Sequence, residues 1–368
     1  LKKLRRYGFY GVELKLIENY LTNRFQVTEV GGIVSSLIKI LAGVPQGSIL
    51  GPLLFIIYIN DLPLASSFTS FLFADDTSLH MSDKNLKKLE SKANLELDRV
   101  ERWFRANKMM LNSKKTKYIL FGVSKNSKFK LQLGGETIMR VSESNEEKFV
   151  KLVGIALDEK LTFKHHVNLI KAKLNRANFI LARSSKFLTQ EIRVLVYNSL
   201  VKSVLEFGSW VYGHCGKSLI EKLFILQKKI IRNITGQRGK THTNQLFVRL
   251  GLLKLPELIK YNTQIIGWKV WYKRAPYNLI DGYEAKSEKR LTRYTQGKNF
   301  KLPVTKISRL QVAPCYTVAK NWNALESNTK SIDKLGAFKT KLRADYLECY
   351  SREPPCKIKN CYACSIAV

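Results

Sequence analysis

The chain has 368 residues, of which 45% are hydrophobic and 25% are charged. This composition is ordinary for a globular protein and excludes wholesale disorder. The 63 Lys and Arg residues outnumber the 29 Asp and Glu residues, so the net charge is +34. A surface this basic typically binds nucleic acid or an anionic membrane. The longest apolar run, residues 53–59, is too short to span a bilayer, so we expect no membrane partner.

The positive charge is concentrated in the second half of the chain. Residues 1–150 contain 23 basic and 15 acidic side chains, whereas residues 151–368 contain 40 and 14. The first residues are basic but no apolar stretch follows them, which argues against a signal peptide. Without a secretory signal, the six cysteines indicate reduced thiols. We therefore expect an intracellular protein of nucleus and cytoplasm that is not secreted.

Residues 1–157 alternate between strand-like and helix-like patterns. We first predict a helix at 12–20, a hairpin of strands 25–30 and 36–41 about Gly31-Gly32, and a buried helix from Pro52 to about 61. Two strands that must be buried follow at 67–73 and 77–81, and then an amphipathic helix over 86–104. The last predicted elements of this part are a strand at 118–122, a hairpin around Gly134-Gly135 and a strand at 149–156.

After residue 158 the pattern becomes helical. The apolar face of the first predicted helix consists of Val167, Ile170, Leu174, Ala177 and Leu181. A capping box of Ser218 and Glu221 begins a second helix, and Gly236 ends it. We predict a loop at 236–256 and further helices at 257–274 and 331–347. Residues 276–315 have little periodicity. We place domain boundaries near 157 and 237.

Two adjacent carboxylates, Asp75 and Asp76, stand between the predicted strands 67–73 and 77–81. Aspartate is common in turns, so the pair alone also fits an ordinary polar turn. Adjacent carboxylates repel each other, however, unless water or a cation lies between them. Mg²⁺ suits such a pair, because it takes one or two protein carboxylates and shares its other positions with phosphates and water.

A loop rich in glycine, GVPQGSILGP at 43–52, precedes the predicted apolar helix. Its glycines allow a ligand to approach the backbone closely, and Gln46 and Ser48 offer side-chain hydrogen bonds. A simple connecting loop before a buried helix explains the loop alone equally well. The loop followed by the Asp-Asp pair is a much more specific combination than either feature by itself.

Together, residues 43–63 and 73–76 resemble motifs B and C of the reverse transcriptases of non-LTR (LINE-type, jockey-like) retrotransposons. Ala74 precedes the Asp pair, as an Ala does in retroelements, whereas many viral RNA polymerases have Gly at this position. Further stretches resemble later parts of the same proteins: motif D at 112–117, the primer grip at 151–154 with Leu152-Val153 in place of the usual aromatic-leucine pair, and the helical regions at 200–236 and 322–342. The resemblance covers almost the whole chain.

The resemblance implies an α+β fold. Residues 1–157 would be the remnant of a right-hand polymerase palm with motifs B to E, 158–237 a thumb-like helical region, and 238–368 a basic, mostly helical C-terminal region. It also implies RNA-directed DNA synthesis, in which two metal ions assist nucleotidyl transfer to a primer 3′-OH. The implied partners are an RNA template, a DNA primer, deoxynucleoside triphosphates and the element RNA as a ribonucleoprotein.

The resemblance assigns roles to single residues. Asp75 and Asp76 would be catalytic and would hold Mg²⁺ (or Mn²⁺). The residues facing the nucleotide and template would be Pro45, Gln46, Gly47, Ser48 and Lys115.

A third carboxylate is also implied, the motif A aspartate, on a strand before motif B. The sequence has no Asp before Asp61, and neither Glu13, Glu18 nor Glu29 lies in an apolar strand of that kind. We therefore expect the C-terminal part of such an enzyme, lacking motif A. The alternative is a catalytically inactive nucleic-acid-binding fragment of such an element.

Other residue clusters give weaker evidence for a functional site. Cys356, Cys361 and Cys364 have spacing that a zinc site can use, but we favour reduced surface thiols because no His lies beyond His242. We interpret His165-His166 as a solvated pair at a helix start. The basic run at 108–130 is a candidate for phosphate contacts. Four tryptophans fit helical core positions better than base-stacking platforms: Trp210, Trp268, Trp271 and Trp322.

Overall fold

The structure, a computed structural model, describes residues 1–41, 43–45, 47–123, 127–184, 186–237, 242–286, 298–304 and 308–351. The chain forms two compact units, the N-terminal unit Leu1–Val153 and the C-terminal unit Gly154–Val368. The N-terminal unit mixes short strands with helices, and the C-terminal unit is mostly helical. The predicted α+β class is confirmed.

The described residues of the N-terminal unit form four α-helices and a set of short strands. Helices α1 to α4 are Lys2–Arg6, Gly11–Leu21, Leu50–Ile59 and Leu86–Ala106. Strands β1 to β11 are Phe25–Gln26, Glu29–Val30, Ile33–Val34, Ile38–Lys39, Thr69–Phe73, Asp76–His80, Lys117–Ile119, Gln132–Leu133, Glu136–Thr137, Met139–Val141 and Val150–Leu152. Strand β7 pairs with β10 in parallel, and β8 pairs with β9 as the predicted hairpin.

Helix α4 organises this unit. Asn85 caps it, since its side chain accepts a hydrogen bond from the Lys88 backbone N–H at 3.1 Å. Its apolar residues recur every three or four positions, so they form one buried face: Ala93, Leu97, Val100 and Phe104. One end of this face packs against strand and loop residues that include Leu120 and Leu133. The other end packs against Ile59 and Leu62. The predicted helix is confirmed.

Two predicted strands differ from the structure. The hairpin about Gly31-Gly32 is confirmed, but its return begins at Ile33 and is split into β3 and β4. The single strand predicted at 149–156 is wrong, because a turn at Val153 and Gly154 interrupts it. Both turn residues have positive φ, +44° and +83°. Apolar residues continue through this turn, so hydrophobicity alone does not reveal it.

The C-terminal unit contains strand β12, Ile155–Leu157, and eleven α-helices within its described residues. Helices α5 to α15 are Lys164–Ser184, Gln190–Tyr197, Ser203–Glu206, Ser209–Tyr212, Lys217–Thr235, Asn244–Leu250, Leu255–Trp271, Tyr277–Ile280, Pro314–Asn323, Ser327–Lys330 and Leu335–Ser351. A π-helical turn, Asn198–Lys202, joins α6 to α7. No helix in the described part of the chain is both long and apolar enough to cross a membrane.

Helices α5 and α9 pack against each other in the larger core of this unit. The predicted apolar face of α5 is confirmed, because all five of its residues are buried. Gly236 ends α9 in the left-handed conformation, φ +68°, as predicted. The predicted capping box is wrong: Gly216 is the N-cap, and Ser218 lies inside the first turn.

Helix α11 joins the larger core to a second, smaller one. Its first half packs with α8 and α9 and contributes Leu258 and Ile259 to the larger core. Its second half places Trp268 against Phe338 of α15 and Trp271 against Trp322 of α13. Helix α10 lies in the segment predicted to be loop, so that prediction is wrong. Only Leu246 and Phe247 of this seven-residue helix are buried, which is too short an apolar pattern to predict it.

Candidate active site on the Asp75-Asp76 hairpin

Strands β5 and β6 form an antiparallel hairpin whose turn carries the two carboxylates. The register pairs Phe73 with Asp76, Phe71 with Ser78 and Leu72 with Thr77. Directly opposed residues lie on the same face of a sheet, and successive residues alternate between faces. Asp76 therefore shares a face with Phe71 and Phe73, and Leu72 lies on the other.

The face that carries Asp76 is open within this unit. Phe71 and Phe73 are 54% and 60% exposed. Asp75 and Asp76 are exposed too, and neither forms an ion pair among the described residues. The prediction that both strands are buried is wrong, because only the Leu72 face is covered. Alternating apolar residues reveal which faces are apolar, but not whether a partner covers both.

The hairpin turn is held in an uncommon conformation. Ala74 has φ +51°, in the left-handed region that glycine favours. The turn consists of only two residues, Ala74 and Asp75, between the paired Phe73 and Asp76. Asp75 is thereby fixed at the tip and Asp76 at the first strand position, so the two carboxylates are presented from a tight hairpin.

Helix α4 supports the hairpin from behind. Leu72 and Leu79 pack on Val100 and Phe104. Glu96, which is 3% exposed, accepts a hydrogen bond from the Ser67 backbone N–H at 2.7 Å, just before β5. That backbone hydrogen bond lowers the pKa of Glu96, as does Arg99 at 2.9 Å, although burial opposes the shift. Sequence reasoning missed Glu96, because a single acid in an amphipathic helix gives no signal.

The predicted motif B loop is built around the Ser48 hydroxyl. It donates to the Pro45 carbonyl at 2.7 Å and accepts from the Gly51 backbone N–H at 3.1 Å. It also accepts from the Tyr20 hydroxyl. A Cβ on Gly51 would lie 2.8 Å from the Ser48 oxygen, so only glycine fits there. These contacts give Ser48 a structural part in ordering the loop.

Gly47 and Gln46 are two further residues of this loop. Gly47 has φ +77°, a conformation that side chains other than glycine rarely adopt. Gln46, predicted to contact nucleotide or template, lies outside the described residues.

Helix α3 follows this loop and begins at Leu50, two residues before the predicted start at Pro52. It was predicted to be buried, and that prediction is wrong for much of its surface. Phe55 and Ile59 pack toward α4, whereas Leu53 and Ile56 are about half exposed. The helix is apolar on all sides, so its sequence does not distinguish its covered side from its open side.

Lys115 lies in a turn just before β7 and is exposed. Its backbone N–H donates to the Asn112 side-chain oxygen at 3.1 Å, an Asx turn that orders the segment. Leu111, next to this turn, packs in both apolar clusters on α4. The hairpin, helix α3 and the Lys115 turn are thus all supported by one helix.

Comparison with known protein families identifies the family of this chain. Residues 2–197 match the model of the family "Reverse transcriptase (RNA-dependent DNA polymerase)". The chain belongs to the reverse transcriptase family. This membership covers the loop, the Asp75-Asp76 hairpin and helix α4.

Similar proteins narrow the resemblance. The RNA-directed DNA polymerase from mobile element jockey of Drosophila melanogaster is 29% identical over 257 residues, 67% of this chain and 27% of that protein. Its Drosophila funebris counterpart is 26% identical over 259 residues, again 67% of this chain and 27% of that protein. A probable RNA-directed DNA polymerase from transposon X-element of D. melanogaster is 26% identical over 230 residues, 60% of this chain and 25% of that protein.

These comparisons confirm the predicted resemblance to jockey-like reverse transcriptases. The chain spans about a quarter of the length of these relatives.

The remaining predicted sites are the C-terminal cysteines and the His165-His166 pair. Cys356, Cys361 and Cys364 lie outside the described residues. Within the described ranges, no group of three or more His, Cys, Asp or Glu residues is arranged to hold a metal ion. His166 is buried instead of solvated, and its Nδ1 accepts from the Ala156 backbone N–H at 3.3 Å. That part of the interpretation of His165-His166 is wrong, because His166 lies on the buried side of α5.

Proposed function

We propose that this chain carries part of the catalytic palm of an RNA-directed DNA polymerase of a jockey-like retrotransposon. The observation that supports this most is the exposed Asp75-Asp76 pair at the tip of a hairpin, on a scaffold of the reverse transcriptase family. RNA template, DNA primer and deoxynucleoside triphosphates would be its partners, with the element RNA as a ribonucleoprotein. Residues 158–237 would form the thumb, and 238–368 a basic extension.

The carboxylates fit a divalent metal ion by their chemistry. Both are exposed oxygen donors, neither of them in an ion pair within the described part of the chain, and Mg²⁺ prefers such ligands. Bound there, Mg²⁺ or Mn²⁺ would neutralise charge on a transferring phosphoryl group. Asp75 and Asp76 would hold the ion at the hairpin tip. Glu96 and the α4 contacts would act as positioning groups that keep this hairpin in place.

The residues proposed to face the nucleotide or template divide into two kinds. Gly47 offers an open backbone and Lys115 an exposed cation. Pro45 and Ser48 order the loop through their mutual hydrogen bond. Gln46 remains a proposed contact on the family resemblance alone.

Mn²⁺ at 10 mM should raise the melting temperature of the N-terminal unit. For a dissociation constant of about 1 mM, mass action gives roughly 1.4 kcal/mol, which for a unit of this size is about 3–5 °C. The double variant Asp75→Asn/Asp76→Asn should lose this response and, without metal, be equally or more stable, because two adjacent like charges are removed. Thermal melting with and without Mn²⁺ measures both effects.

The matched control is Glu18→Gln/Glu146→Gln, which removes two exposed acids away from the hairpin. It should keep the full metal response. If the Asn variant responds to Mn²⁺ as strongly as the unmodified chain, the metal binds elsewhere and the hairpin is only a polar turn.

Nucleic-acid binding should depend on the basic second half. Lys171, Lys173 and Arg176 are exposed on α5, away from its buried face. Each phosphate contact contributes about −0.7 to the log–log salt slope for a single strand. Replacing these three residues with Ala should therefore reduce the magnitude of the slope by roughly 2. Titration of a single-stranded oligonucleotide at several salt concentrations measures it.

Lys84, Lys87 and Lys88 form the matched control, because they are equally exposed but lie in the less basic first half. Replacing them should change the slope much less. Equal effects of the two triple variants, or a flat salt response of the unmodified chain, would contradict the assignment of binding to the second half.

The alternative function is a catalytically inactive nucleic-acid-binding fragment, and primer extension tests whether these residues alone complete the metal site. Two-metal transfer uses a clamp of several ligands, and Asp61 is the first Asp of the sequence. We expect these 368 residues alone to give no extension of a primed RNA with Mg²⁺ or Mn²⁺. Templated extension would show that another acid, such as Glu13, completes the site.

A further inference from the structure

The C-terminal unit has an open cleft of about 390 Å³ that the proposed palm does not use. Its walls come from the π-helical turn, the short helices α7 and α8, and helices α11 and α15. The residues that line it include Lys202, Glu206, Trp210, Tyr261, Asn262 and Lys339. The volume lies within the range of small-ligand sites, 300–1,000 Å³.

Trp210 is the notable residue of this cleft. It was predicted to lie in a helical core, but it is only partly buried and belongs to neither apolar core of the described C-terminal unit. By contrast, Trp268 and Trp322 are 3% and 0% exposed, as predicted. A tryptophan left at a cleft wall offers its ring to a ligand.

The local backbone fixes the position of this ring. Gly208, with φ +64°, begins the short helix α8 on which Trp210 lies. Ser209 is fully buried, and its hydroxyl accepts from the Asn262 side-chain amide at 2.8 Å. That bond ties α8 to α11, so the wall holding Trp210 and the wall holding Tyr261 are joined rigidly.

The charges of the cleft are mixed. Lys202 and Lys339 are cations, and Glu206 is an anion that lies 3.7 Å from the Lys202 ammonium. Cations attract phosphate, aromatic rings stack on bases, and a carboxylate accepts hydrogen bonds from the amino group of a base. Uracil has no such amino group. The cations, the carboxylate and the aromatic ring of this cleft are therefore suited to bind the phosphate and the base of one nucleotide of a single strand.

We propose that this cleft binds one unpaired nucleotide of a single-stranded nucleic acid, with the base stacked on Trp210 and Glu206 favouring cytosine, adenine or guanine over uracil. Lys339 attracts the phosphate. This site rests on the proposed nucleic-acid binding of the second half and adds to it a base-dependent contact, which a purely electrostatic surface does not provide.

The test compares binding of labelled oligo(C) and oligo(U) to the full chain at constant salt. The unmodified chain should bind oligo(C) several-fold more tightly. Trp210→Ala should weaken binding of oligo(C) by roughly tenfold, the scale of one stacked base. The salt slope should not change, because no phosphate contact is lost. Trp210→Phe should retain most of the affinity, and Glu206→Gln should remove the preference over oligo(U).

Two controls keep the result decisive. Lys339→Ala should weaken binding more than Lys320→Ala, which removes an exposed lysine that does not line the cleft. Saturating oligo(C) should quench tryptophan fluorescence of the unmodified chain, and the quench should shrink in Trp210→Phe. That measurement uses a conservative variant and does not depend on Trp210→Ala folding.

The outcomes separate this site from the proposed function. If the unmodified chain binds with a normal salt slope but Trp210→Ala and Trp210→Phe change neither affinity nor quenching, the cleft is not a nucleotide site and the basic surface alone binds. If the unmodified chain does not bind at all, the proposed nucleic-acid binding itself is wrong.

Discussion

Replacing Gly213 with alanine should lower the free energy of unfolding of the C-terminal unit by about 3 kcal/mol or more. An alanine Cβ there would overlap the Ser209 carbonyl oxygen and lie 2.5 Å from Ile259 Cγ2. Ile259 is buried in α11, so it cannot move aside without disturbing the larger core. For a unit of this size the loss corresponds to a fall in melting temperature of roughly 6–12 °C.

Gly336 provides the matched control for this prediction. It lies in the first turn of α15, its φ is not positive, and a Cβ there would meet nothing within 4 Å. Gly336→Ala should therefore stabilise the same unit by about 0.4–1 kcal/mol, because alanine loses less backbone entropy in a helix. Circular dichroism melts of both variants measure the contrast. A Gly213→Ala chain that melts with the unmodified one would show that α8 and α11 are not closely packed.

The parts of the fold that sequence predicts well are those with a repeating apolar face. Helices α4 and α5 are predicted because their buried residues recur every three or four positions over about twenty residues. The Asp75-Asp76 hairpin is predicted because turn residues separate two apolar strands. In each case the signal is local, so no knowledge of the packing partner is needed.

The parts that sequence does not predict depend on distant contacts. Nothing local shows that Glu96 holds the Ser67 backbone N–H, or that Ser48 meets Tyr20. Trp210 looks like a core residue by composition, yet it lies at a cleft, while Ser209 and Tyr212 take the buried positions of α8. An apolar residue indicates a preference for burial, but only the tertiary structure decides whether burial is achieved.

A buried histidine, His166, and a partly buried one, His214, make the C-terminal unit sensitive to acid. Burial lowers the pKa of His214 to about 4, and its Nε2 has no hydrogen-bond partner among the described residues. Burial also lowers the pKa of His166, and the nearby Lys173 adds to the shift. The His166 Nδ1 accepts a hydrogen bond from the Ala156 N–H, so it must be unprotonated in the folded state. Protonating either ring therefore opposes folding.

The direction of the pH dependence follows from these lowered values. An unfolded chain binds a proton at each histidine below pH about 6.5, whereas folded His214 does so only near pH 4. The stabilisation is thus fully present above pH 6.5 and is lost as the pH falls toward 4. Between pH 7 and 5, His214 alone should account for a loss of up to about 2 kcal/mol in the free energy of unfolding.

Lowering the pH from 7 to 5 should therefore destabilise the C-terminal unit, and His214→Gln should remove most of the effect. This pH range lies above the ordinary titration of exposed Asp and Glu. Burial raises the pKa of Glu257 in the same unit, and that group opposes the loss because the folded state takes up its proton first as the pH falls. His166→Gln should remove a further part, whereas His80→Gln, at an exposed position of the other unit, should remove none. Urea unfolding at pH 7, 6 and 5 measures the change for each variant. A loss of stability as large in the double variant His166→Gln/His214→Gln as in the unmodified chain would assign the acid sensitivity to other groups.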